Sequence, residues 1–384
     1  MEHPDIISKE IDGLLKESCI HGPFEAPPLE NFRCSPLGMA TCNCNPKCHV
    51  FNHYSWPRDT SVNDETPDFK GVIKYDSFLS TTATVCSAGK GSLLTKLDLK
   101  DAYRHIPIHS MDWNLLGFQW EGKYYYPAIL MFSGKSMPYI FNLLMEVLHW
   151  IIECHLPTSL CHYLDDFLQI FKPNIPRHVA NAAVIWIKNL GKDLGLSFQP
   201  MKTIWPMTCI EFLGLELDSE AMEAHLPQDK LTYLCAYIWD RQSCSCCSIK
   251  DLQELIGFLQ FYAQVIPHGR MFIRGLIKFP IALKSNFMSR HVPAYVCSDL
   301  WWWSVFTPSW NGIQILESPC NLLLIYMDAS GSKGLGGIFE DQWYSSRCPC
   351  CFRTETSNLR RYMQCYKPSS GGATSGGSTT LFSM

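Results

Sequence analysis

The fold of this 384-residue chain is decided by one stretch, Tyr163-Leu164-Asp165-Asp166. Two adjacent carboxylates stand there between two apolar runs, residues 160–164 and 167–171. A strand, a two-residue turn and a second strand would place both acids at the tip of a hairpin. Carboxylate oxygens at such a tip suit divalent metal ions, which also leave room for substrate phosphates.

A further acid, Asp98, lies upstream in a similar setting, Leu94-Thr95-Lys96-Leu97-Asp98-Leu99. The alternation predicts a strand with Asp98 and Lys96 on one face and the neighbouring leucines on the other. Three carboxylates within ~4 Å of one another repel strongly unless cations neutralise them. Two metal ions ~3.5–4 Å apart would do so, and such a pair suits nucleotidyl transfer. Taken singly, each acid has an ordinary explanation, a turn pair or a strand-end cap.

The segments around these acids predict an α+β fold. Ser136 and Pro138 are typical of a helix start, and the predicted apolar face of that helix is Ile140, Leu144, Val147, Leu148 and Ile151. A second helix is predicted over 177–194, followed by short strands over 208–213 and 215–217. The order strand, helix, hairpin, helix, strand matches a βαββαβ sheet with helices on one face.

The remaining chain gives weaker signals. Residues 1–20 predict an amphipathic helix, and Ser248 to Asp251 resembles a capping box at the start of another. Residues 31–91 are irregular and predict a loop-rich, sheet-edged region, whereas 322–325 predict a buried strand. The Trp301 to Trp303 run predicts core or interface packing.

Composition excludes some classes of protein. Hydrophobic residues make up 47% and charged residues 18%, which is typical of a globular chain. The net charge of −4 lacks the strongly basic balance of many nucleic-acid binders, so any such binding must depend on local clusters, such as Arg353 to Arg361, or on a basic groove formed on folding. The start has no signal-peptide pattern, and the most apolar stretch, 139–152, is too short and too polar to span a bilayer. We therefore expect an intracellular protein, in the cytoplasm or nucleus, without membrane association.

Nineteen cysteines are expected to be reduced thiols, because no secretory signal accompanies them. Three clusters invite a zinc interpretation: Cys42/Cys44/Cys48 with His49, Cys244/Cys246/Cys247, and Cys348/Cys350/Cys351. None has paired C-x-x-C spacing, so buried or incidental thiols are the simpler interpretation.

Leu97-Asp98-Leu99-Lys100-Asp101-Ala102-Tyr103, followed by Tyr163 to Asp166, resembles motifs A and C of reverse transcriptases. More of the chain resembles the polymerase of DIRS-like (tyrosine-recombinase) retroelements, a group of retrotransposons. The similar stretches are Asn31 to Gly38, Ser61 to Asp64, Leu116 to Phe118, Pro138 to Asn142, His162 to Phe167, Phe212 to Asp218, Leu226 to Lys230, Leu255 to Gly257 and Val265 to Arg270. The similarity runs from about residue 21 to residue 339.

This resemblance implies a right-hand polymerase with fingers, a ferredoxin-like βαββαβ palm and a helical thumb, followed by a partial ribonuclease H-like segment. The implied boundaries are an N-terminal helix and linker over 1–29, fingers and palm over 30–240, thumb over 241–285, connection over 286–321, an incomplete ribonuclease H-like start over 322–345 and a disordered tail over 346–384.

The implied activity is RNA-directed DNA polymerisation, with an RNA template, a DNA primer and deoxynucleoside triphosphates as partners. Two Mg²⁺ ions, or Mn²⁺ in their place, would be held by Asp98, Asp165, Asp166 and the backbone carbonyl of Leu99. For the substrate, the resemblance implies a backbone contact from Asp101, a steric gate against the ribose 2′-hydroxyl from Tyr103, a nucleotide or template contact from Asn142, a triphosphate contact or proton donor in Lys202, and a primer grip at Phe212-Leu213-Gly214. Ordinary roles stay open for several of them: a core tyrosine, an exposed turn lysine and a buried strand.

A partial resemblance concerns the end of the chain. Tyr326-Met327-Asp328 with Gly336-Gly337 looks like the first strand of a ribonuclease H domain, in which Asp328 would be the first metal ligand. The later acids of that family have no recognisable counterparts in 348–384. One carboxylate cannot hold two metal ions, so we expect no RNA cleavage.

Two departures from the polymerase pattern keep a rival open. Cys48 to Phe51 stands where the family has Trp-Arg-Leu-Ile, and His49 lacks the bidentate fork of that arginine. Met131 to Lys135 replaces a Pro-Phe-Gly-Leu-Arg segment. The rival is a catalytically impaired nucleic-acid-binding remnant of a retroelement polymerase. An RNA-dependent RNA polymerase is a third alternative, against which Tyr103 argues.

Overall fold

The structure, a computed structural model, describes residues 4–42, 45–68, 72–243, 246–266, 268–281, 290–309, 311–314, 325–330, 334–339 and 342–346. The chain divides into two compact units, Met1–Glu223 and Ala224–Met384.

The first unit contains five helices and eleven strands among its described residues. In chain order they are α1 (Pro4–Lys16), β1 (Ile20–Phe24), β2 (Leu37–Cys42), β3 (Asn45–Asn52), α2 (Val62–Glu65), α3 (Phe78–Ala88), β4 (Leu93–Asp98), β5 (Phe118–Trp120), β6 (Lys123–Pro127), α4 (Met137–His155), β7 (Ser159–Tyr163), β8 (Asp166–Phe171), α5 (Arg177–Asp193), β9 (Ile204–Met207), β10 (Cys209–Phe212) and β11 (Leu215–Asp218). The predicted N-terminal helix is confirmed as α1, which buries Ile7, Ile11 and Leu14.

One four-stranded antiparallel sheet organises this unit. Its strand order is β7-β8-β4-β9. Helix α4 connects β4 to β7 and α5 connects β8 to β9, so the predicted β-α-β-β-α-β order is present. Side chains from β4, β8, α4 and α5 share one buried cluster, which contains Leu97, Phe141, Leu148, Phe167 and Ile187. The mixed α/β architecture is therefore confirmed.

Both faces of the sheet are covered, which explains why β8 is apolar almost throughout. Residues 167–171 are all buried. Successive strand residues point to opposite faces. On β7, His162 faces α4, while the thiol of Cys161 faces Thr81 and Thr84 of α3. Helix α3 therefore covers the face opposite α4 and α5.

The acidic hairpin differs by one residue from the prediction. Tyr163 pairs with Asp166, so the two-residue turn is Leu164-Asp165 and Asp166 is already the first residue of β8. Leu164 adopts a φ of 52°. A left-handed conformation costs a residue with a Cβ roughly 1–2 kcal/mol, and an apolar-to-polar boundary in the sequence does not reveal it.

The predicted face of α4 is only partly right, because Leu148 is buried as predicted and Leu144 packs against the core. Ile140 and Val147 are exposed, whereas the buried stripe is Met137, Phe141, Met145, Leu148 and Ile152. Because α4 carries apolar residues nearly all round, periodicity alone could not choose between neighbouring stripes. Ser136 precedes the helix as predicted, but its side chain makes no capping hydrogen bond.

The region expected to be loop-rich and sheet-edged, 31–91, contains a helix that was not predicted. Strands β2 and β3 form an antiparallel hairpin, as a sheet-edged region would, whereas α3 begins at a capping box between Ser77 and Ser80. A serine at the third helical position is not the Glu or Gln that marks this box in a sequence, so the helix start was missed.

The second unit contains helices and short strands that follow β12 (Glu223–His225), which lies at the boundary. They are α6 (Gln228–Ser243), β13 (Cys246–Cys247), α7 (Ile249–Tyr262), α8 (Arg274–Ile281), β14 (Arg290–His291), α9 (Ala294–Phe306), β15 (Ile313–Gln314), β16 (Ile325–Ser330), β17 (Gly334–Phe339) and β18 (Gln342–Ser346). The capping box at the start of α7 is confirmed, with Ser248 and Asp251 as its partners. Trp303 is fully buried, whereas Trp301 is exposed.

Strands β16, β17 and β18 form an antiparallel three-stranded sheet, in which Asp328 lies opposite Gly336. The predicted strand over 322–325 lies outside the described residues except for Ile325, which begins β16. Residues 347–384, with their cysteine cluster, also lie outside them. Within the described part of the chain, no helix combines the length and apolar character needed to cross a membrane.

Candidate active site

Strand β4 ends and strand β8 begins at the same end of the sheet, which brings three acids together. Asp98 lies directly opposite Asp166 in the β4–β8 ladder. The Leu99 N–H donates to the carbonyl oxygen of Asp165 at 3.1 Å, which fixes the turn against the end of β4. Residues directly opposite in an antiparallel pair have Cα atoms about 4.5–5.5 Å apart. The structure thus brings the three acidic residues that the sequence indicated to one end of the sheet, where their charges interact, and we call them the acidic tip.

Burial destabilises the ionised forms of these carboxylates. Asp98 is 5% exposed. Burial raises the pKa of Asp165, and the nearby charges of Asp166 and Asp98 raise it further. Burial also raises the pKa of Asp166, although Lys96 opposes that shift. Since these carboxylates disfavour one another's ionised form, a nearby positive charge is stabilising.

Two lysines supply positive charge to the acidic tip. The Lys202 ammonium donates to Asp98 Oδ2 at 2.9 Å, and this hydrogen bond raises the pKa of the lysine. Lys96 Nζ lies 3.1 Å from Asp166 Oδ1. Lys202 was predicted as a site residue, whereas Lys96 was not. The sequence pattern that could have identified Lys96 is the strand alternation, which places Lys96 and Asp98 on one face.

Tyr103 stands beside the acidic tip. It lies in a 3₁₀ turn, Ala102–His105, and its ring contacts Phe132 and Phe141, each with centroids 5.0 Å away. Burial raises the pKa of Tyr103 to about 12, with smaller effects from Tyr75 and Asp165. The ring therefore packs against two aromatic neighbours, and burial disfavours ionisation of its hydroxyl.

Asn142 and Asp101 occupy distinctive positions. The Asn142 amide donates to Glu146 Oε1 at 3.3 Å, while its buried Oδ1 has no hydrogen-bond partner among the described residues. Asp101 precedes the 3₁₀ turn with a φ of 53°. An unpartnered buried oxygen and a left-handed non-glycine residue are both features that functional sites retain.

The predicted primer grip is the hairpin between β10 and β11. Leu213 and Gly214 form its turn with φ of 49° and 80°, the positive pair that a type I′ turn requires. Phe212 is fully buried, with Lys96 Nζ 5.9 Å from its ring centroid. Phe212 thus anchors the hairpin.

The segment that departs from the polymerase pattern, Met131 to Lys135, is firmly held. Asn63 donates to the Ser133 carbonyl at 3.0 Å and accepts from the Lys135 N–H at 2.7 Å. The Lys135 ammonium pairs with Asp68 at 2.6 Å. Hydrogen bonds and an ion pair therefore fix the conformation of this segment, although its sequence differs from the polymerase pattern. The side chains of His49 and Asp328 lie outside the description, so their roles stay predictions.

One cluster escaped the sequence reasoning altogether. Asp76, His149 and His162 present potential metal-ligand atoms that all lie within 4.8 Å of one another. They are far apart in the chain and show no ligand spacing, so no sequence signal pointed to them.

Comparison with known proteins places the acidic tip in a family context. Residues 51–217 match the family described as reverse transcriptase (RNA-dependent DNA polymerase). This range includes all three acids, Tyr103 and Lys202. Residues 51–217 are therefore similar to a reverse transcriptase domain.

Solved structures agree at the level of fold. The chain is similar to the foamy viral protease-reverse transcriptase in a complex with RNA/DNA hybrid, with 16% identity, a TM-score of 0.66, and coverage of 95% of this chain and 46% of that one. For two complexes of that protein with double-stranded DNA, identity is again 16%, the TM-scores are 0.62 and 0.61, and coverage is 92% and 94% of this chain against 57% and 69% of those chains. This chain thus spans about half the length of the first two.

Reverse transcriptases use divalent metal ions, and the donors of the acidic tip fit them. Carboxylate oxygens are the ligands that Mg²⁺ prefers. Burial raises the pKa of Asp165 and of Asp166, which means that their ionised forms are destabilised. Bound cations would stabilise those ionised forms.

Proposed function

We propose that this chain is an RNA-directed DNA polymerase of a DIRS-like retrotransposon and acts inside the cell, in the cytoplasm or nucleus. The observation that carries the proposal is the register of β4 against β8, which sets Asp98 opposite Asp166 beside the Asp165 turn. That register lies within the residues that match the reverse transcriptase family.

The three aspartates of the acidic tip, with the Leu99 carbonyl, would hold two Mg²⁺ ions. Bound Mg²⁺ would activate the primer 3′-hydroxyl and stabilise the leaving pyrophosphate oxygen. The Lys202 side chain is 62% exposed, so it could turn from Asp98 towards a bound triphosphate and donate a proton there. Asp101 would contribute its backbone next to the same triphosphate.

Two further residues would select the nucleotide. The Tyr103 ring, fixed by Phe132 and Phe141, would stand where a ribose 2′-hydroxyl would need room. The free Oδ1 of Asn142 would accept a hydrogen bond from the nucleotide or template. The turn at Leu213 and Gly214 would contact the primer.

The domain plan follows the same proposal, with fingers and palm over 30–240, thumb over 241–285, connection over 286–321 and an incomplete ribonuclease H-like start over 322–345. The foamy viral relative binds double-stranded DNA and RNA/DNA hybrid. We propose the same classes of nucleic acid as partners here, bound largely through phosphate contacts that weaken as salt rises.

Extension of a DNA primer on an RNA template tests this function. The full chain should add deoxynucleotides only with Mg²⁺ or Mn²⁺, and the double variant Asp165→Asn/Asp166→Asn should give background alone. Equal incorporation by the two proteins would refute catalysis at the acidic tip.

The rival function, a nucleic-acid-binding remnant, is favoured by His49 at the position of the family's triphosphate-gripping arginine. It predicts a gel shift of primer–template by the wild-type chain without any nucleotide incorporation. Ribonucleotide incorporation on the same template would instead favour an RNA polymerase.

A further inference from the structure

A second cluster of potential metal ligands lies on the palm sheet, apart from the acidic tip. Asp76 precedes α3, His149 lies on α4 and His162 lies on β7. Their ligand atoms all lie within 4.8 Å of one another. Three separate elements of the first unit thus converge on one point.

The two imidazole rings face each other through the same kind of atom. His149 Nδ1 lies 2.8 Å from His162 Nδ1, and the rings meet edge to face. At that distance one nitrogen carries the proton and the other accepts it. His162 is 5% exposed and stacks on Phe167, so its ring cannot easily turn away.

Carboxylates face the opposite nitrogen of each ring. His149 Nε2 lies 3.4 Å from Glu153 Oε2, and His162 Nε2 lies 3.7 Å from Glu146 Oε1. A histidine that binds a metal typically donates its other N–H to a carboxylate, which orients the ring and increases its basicity. Here each carboxylate lies near the Nε2 atom without a hydrogen bond to it, and each ring has its Nδ1 atom at the shared point.

Asp76 is held at the same point. Its Oδ2 accepts the backbone N–H of His162 at 2.9 Å, and its Oδ1 accepts the Ser80 hydroxyl at 3.3 Å. A carboxylate oxygen keeps lone pairs beyond one hydrogen bond. Asp76 therefore adds an oxygen donor and a negative charge to the two nitrogens.

Two imidazoles and one carboxylate suit Zn²⁺ better than Mg²⁺, because Mg²⁺ prefers oxygen ligands alone. Two nitrogens each ~2.1 Å from a tetrahedral zinc ion lie about 3.4 Å apart. The Nδ1 atoms would have to separate by roughly 0.6 Å, which a small side-chain rotation allows. Burial, and next the charge of His149, lowers the pKa of His162, which favours the neutral ring that binds metal.

We propose that Asp76, His149 and His162 form a zinc-binding site that ties the segment before α3 and helix α4 to strand β7. His162 lies three residues before Asp165, so bound zinc would brace the hairpin that carries the acidic tip. The fourth zinc ligand would be water. This site does not depend on polymerase activity.

Zinc titration of the metal-stripped full chain, with excess Mg²⁺ to occupy the acidic tip, tests the site. Wild type should bind Zn²⁺, and His149→Gln and Asp76→Asn should each lose one equivalent or bind it at least ten times more weakly. His155→Gln is the matched control, because His155 is on the same helix but contacts the Ile151 carbonyl through Nδ1 and the Trp186 ring, away from the proposed ligands. It should bind like wild type, as should Asp165→Asn, whether or not the chain is a polymerase.

Co²⁺ distinguishes this site from the cysteines. Co²⁺ bound by nitrogen and oxygen should give visible absorption without the ultraviolet charge-transfer band of thiolate ligands, and His149→Gln should lose that absorption. Circular dichroism should show that the variants remain folded, and Zn²⁺ should raise the unfolding temperature of wild type but not of His149→Gln. No zinc uptake by wild type, unchanged uptake by both ligand variants, or a thiolate band would each overturn the proposal and leave a hydrogen-bonded histidine pair.

Discussion

Lys96 on β4 reaches across to Asp166 on β8, with Nζ 3.1 Å from Oδ1. Two residues further along β4, Asp98 is paired in the same way with Lys202. The three carboxylates of the acidic tip thus face two lysines. Burial raises the pKa of Asp165 and of Asp166, so a bound cation would stabilise their ionised forms further.

Removal of Lys96 should make the fold depend more on metal. We expect Lys96→Met to lower the free energy of unfolding by about 1–2 kcal/mol without divalent ions, because a partly buried carboxylate loses its ionic partner. Mg²⁺ should restore part of that loss, since it supplies the missing positive charge. Urea unfolding with EDTA and with Mg²⁺ measures both effects. Lys100→Met is the control, because Lys100 is exposed and its ion pair with Asp101 is long, with Nζ 3.7 Å from Oδ2. Equal stabilisation of Lys96→Met and wild type by Mg²⁺ would contradict this account.

Tyr103 should control the choice of sugar. We expect Tyr103→Val to raise the kcat/KM for ribonucleotides relative to deoxynucleotides about tenfold, which corresponds to about 1.4 kcal/mol. The reason is space, because valine lacks the ring that Phe132 and Phe141 hold in place. Tyr103→Phe keeps the ring and should keep the discrimination. The same ratio in wild type and the valine variant would rule out a gate at this position.

Two helix glycines should respond oppositely to alanine. A Cβ on Gly191 of α5 would lie 2.7 Å from Phe198 Cε2 and 2.8 Å from the Leu196 carbonyl, so Gly191→Ala should destabilise by about 1–3 kcal/mol. A Cβ on Gly257 of α7 meets nothing within 4 Å, so Gly257→Ala should stabilise by about 0.5–1 kcal/mol through helix propensity. Urea unfolding gives both values, and a stable Gly191→Ala would show that the packing around α5 is wrong.

The capping box of α7 should matter where the start of α4 does not. Ser248→Ala should lower the free energy of unfolding by about 1 kcal/mol, whereas Ser136→Ala, which removes no capping hydrogen bond, should lower it by less than about 0.5 kcal/mol.

Hydrogen bonds from the Ser248 side chain and backbone lower the pKa of Asp251. The unfolded chain therefore binds this proton at a higher pH than the folded chain does. The stabilisation is complete above about pH 4 and is lost only as the pH falls through the folded pKa. Chemical unfolding should thus give the same Ser248→Ala loss at pH 5 and pH 7, and a marked decline between them would contradict this interpretation.

The sequence predicted the acidic tip because local signals and function agree there. Apolar runs on both sides of Asp165 define two strands, and the alternation around Asp98 defines a third. The turn itself was misplaced by one residue, because Leu164 adopts a left-handed conformation that its side chain does not favour. Such a strained residue is stabilised by tertiary contacts, here the Leu99 N–H bonded to the Asp165 carbonyl, which no local pattern contains.

Contacts between distant segments set the limit of prediction elsewhere. The buried stripe of α4 could not be chosen by periodicity, since Ile140 and Phe141 are both apolar and only the sheet decides which is covered. The cluster of Asp76, His149 and His162 was invisible for the same reason, because β7, α4 and the segment before α3 meet only in the folded chain. The role of Lys96 could have been predicted from the sequence, because the strand alternation places it on the same face as Asp98.

The central claim is that three aspartates from distant segments act as one catalytic unit. Single-turnover primer extension measures this most directly, with the variants Asp98→Asn, Asp165→Asn and the double variant Asp98→Asn/Asp165→Asn. Asp193→Asn on α5 is the control, because it changes the charge by the same amount. Groups that act as a unit are strongly non-additive, so each single variant should lose at least about 10³-fold in rate, or about 4 kcal/mol, and the double variant should lose hardly more. Losses that multiply in the double variant, or a wild-type rate for Asp98→Asn, would show that Asp98 does not share a site with the hairpin acids.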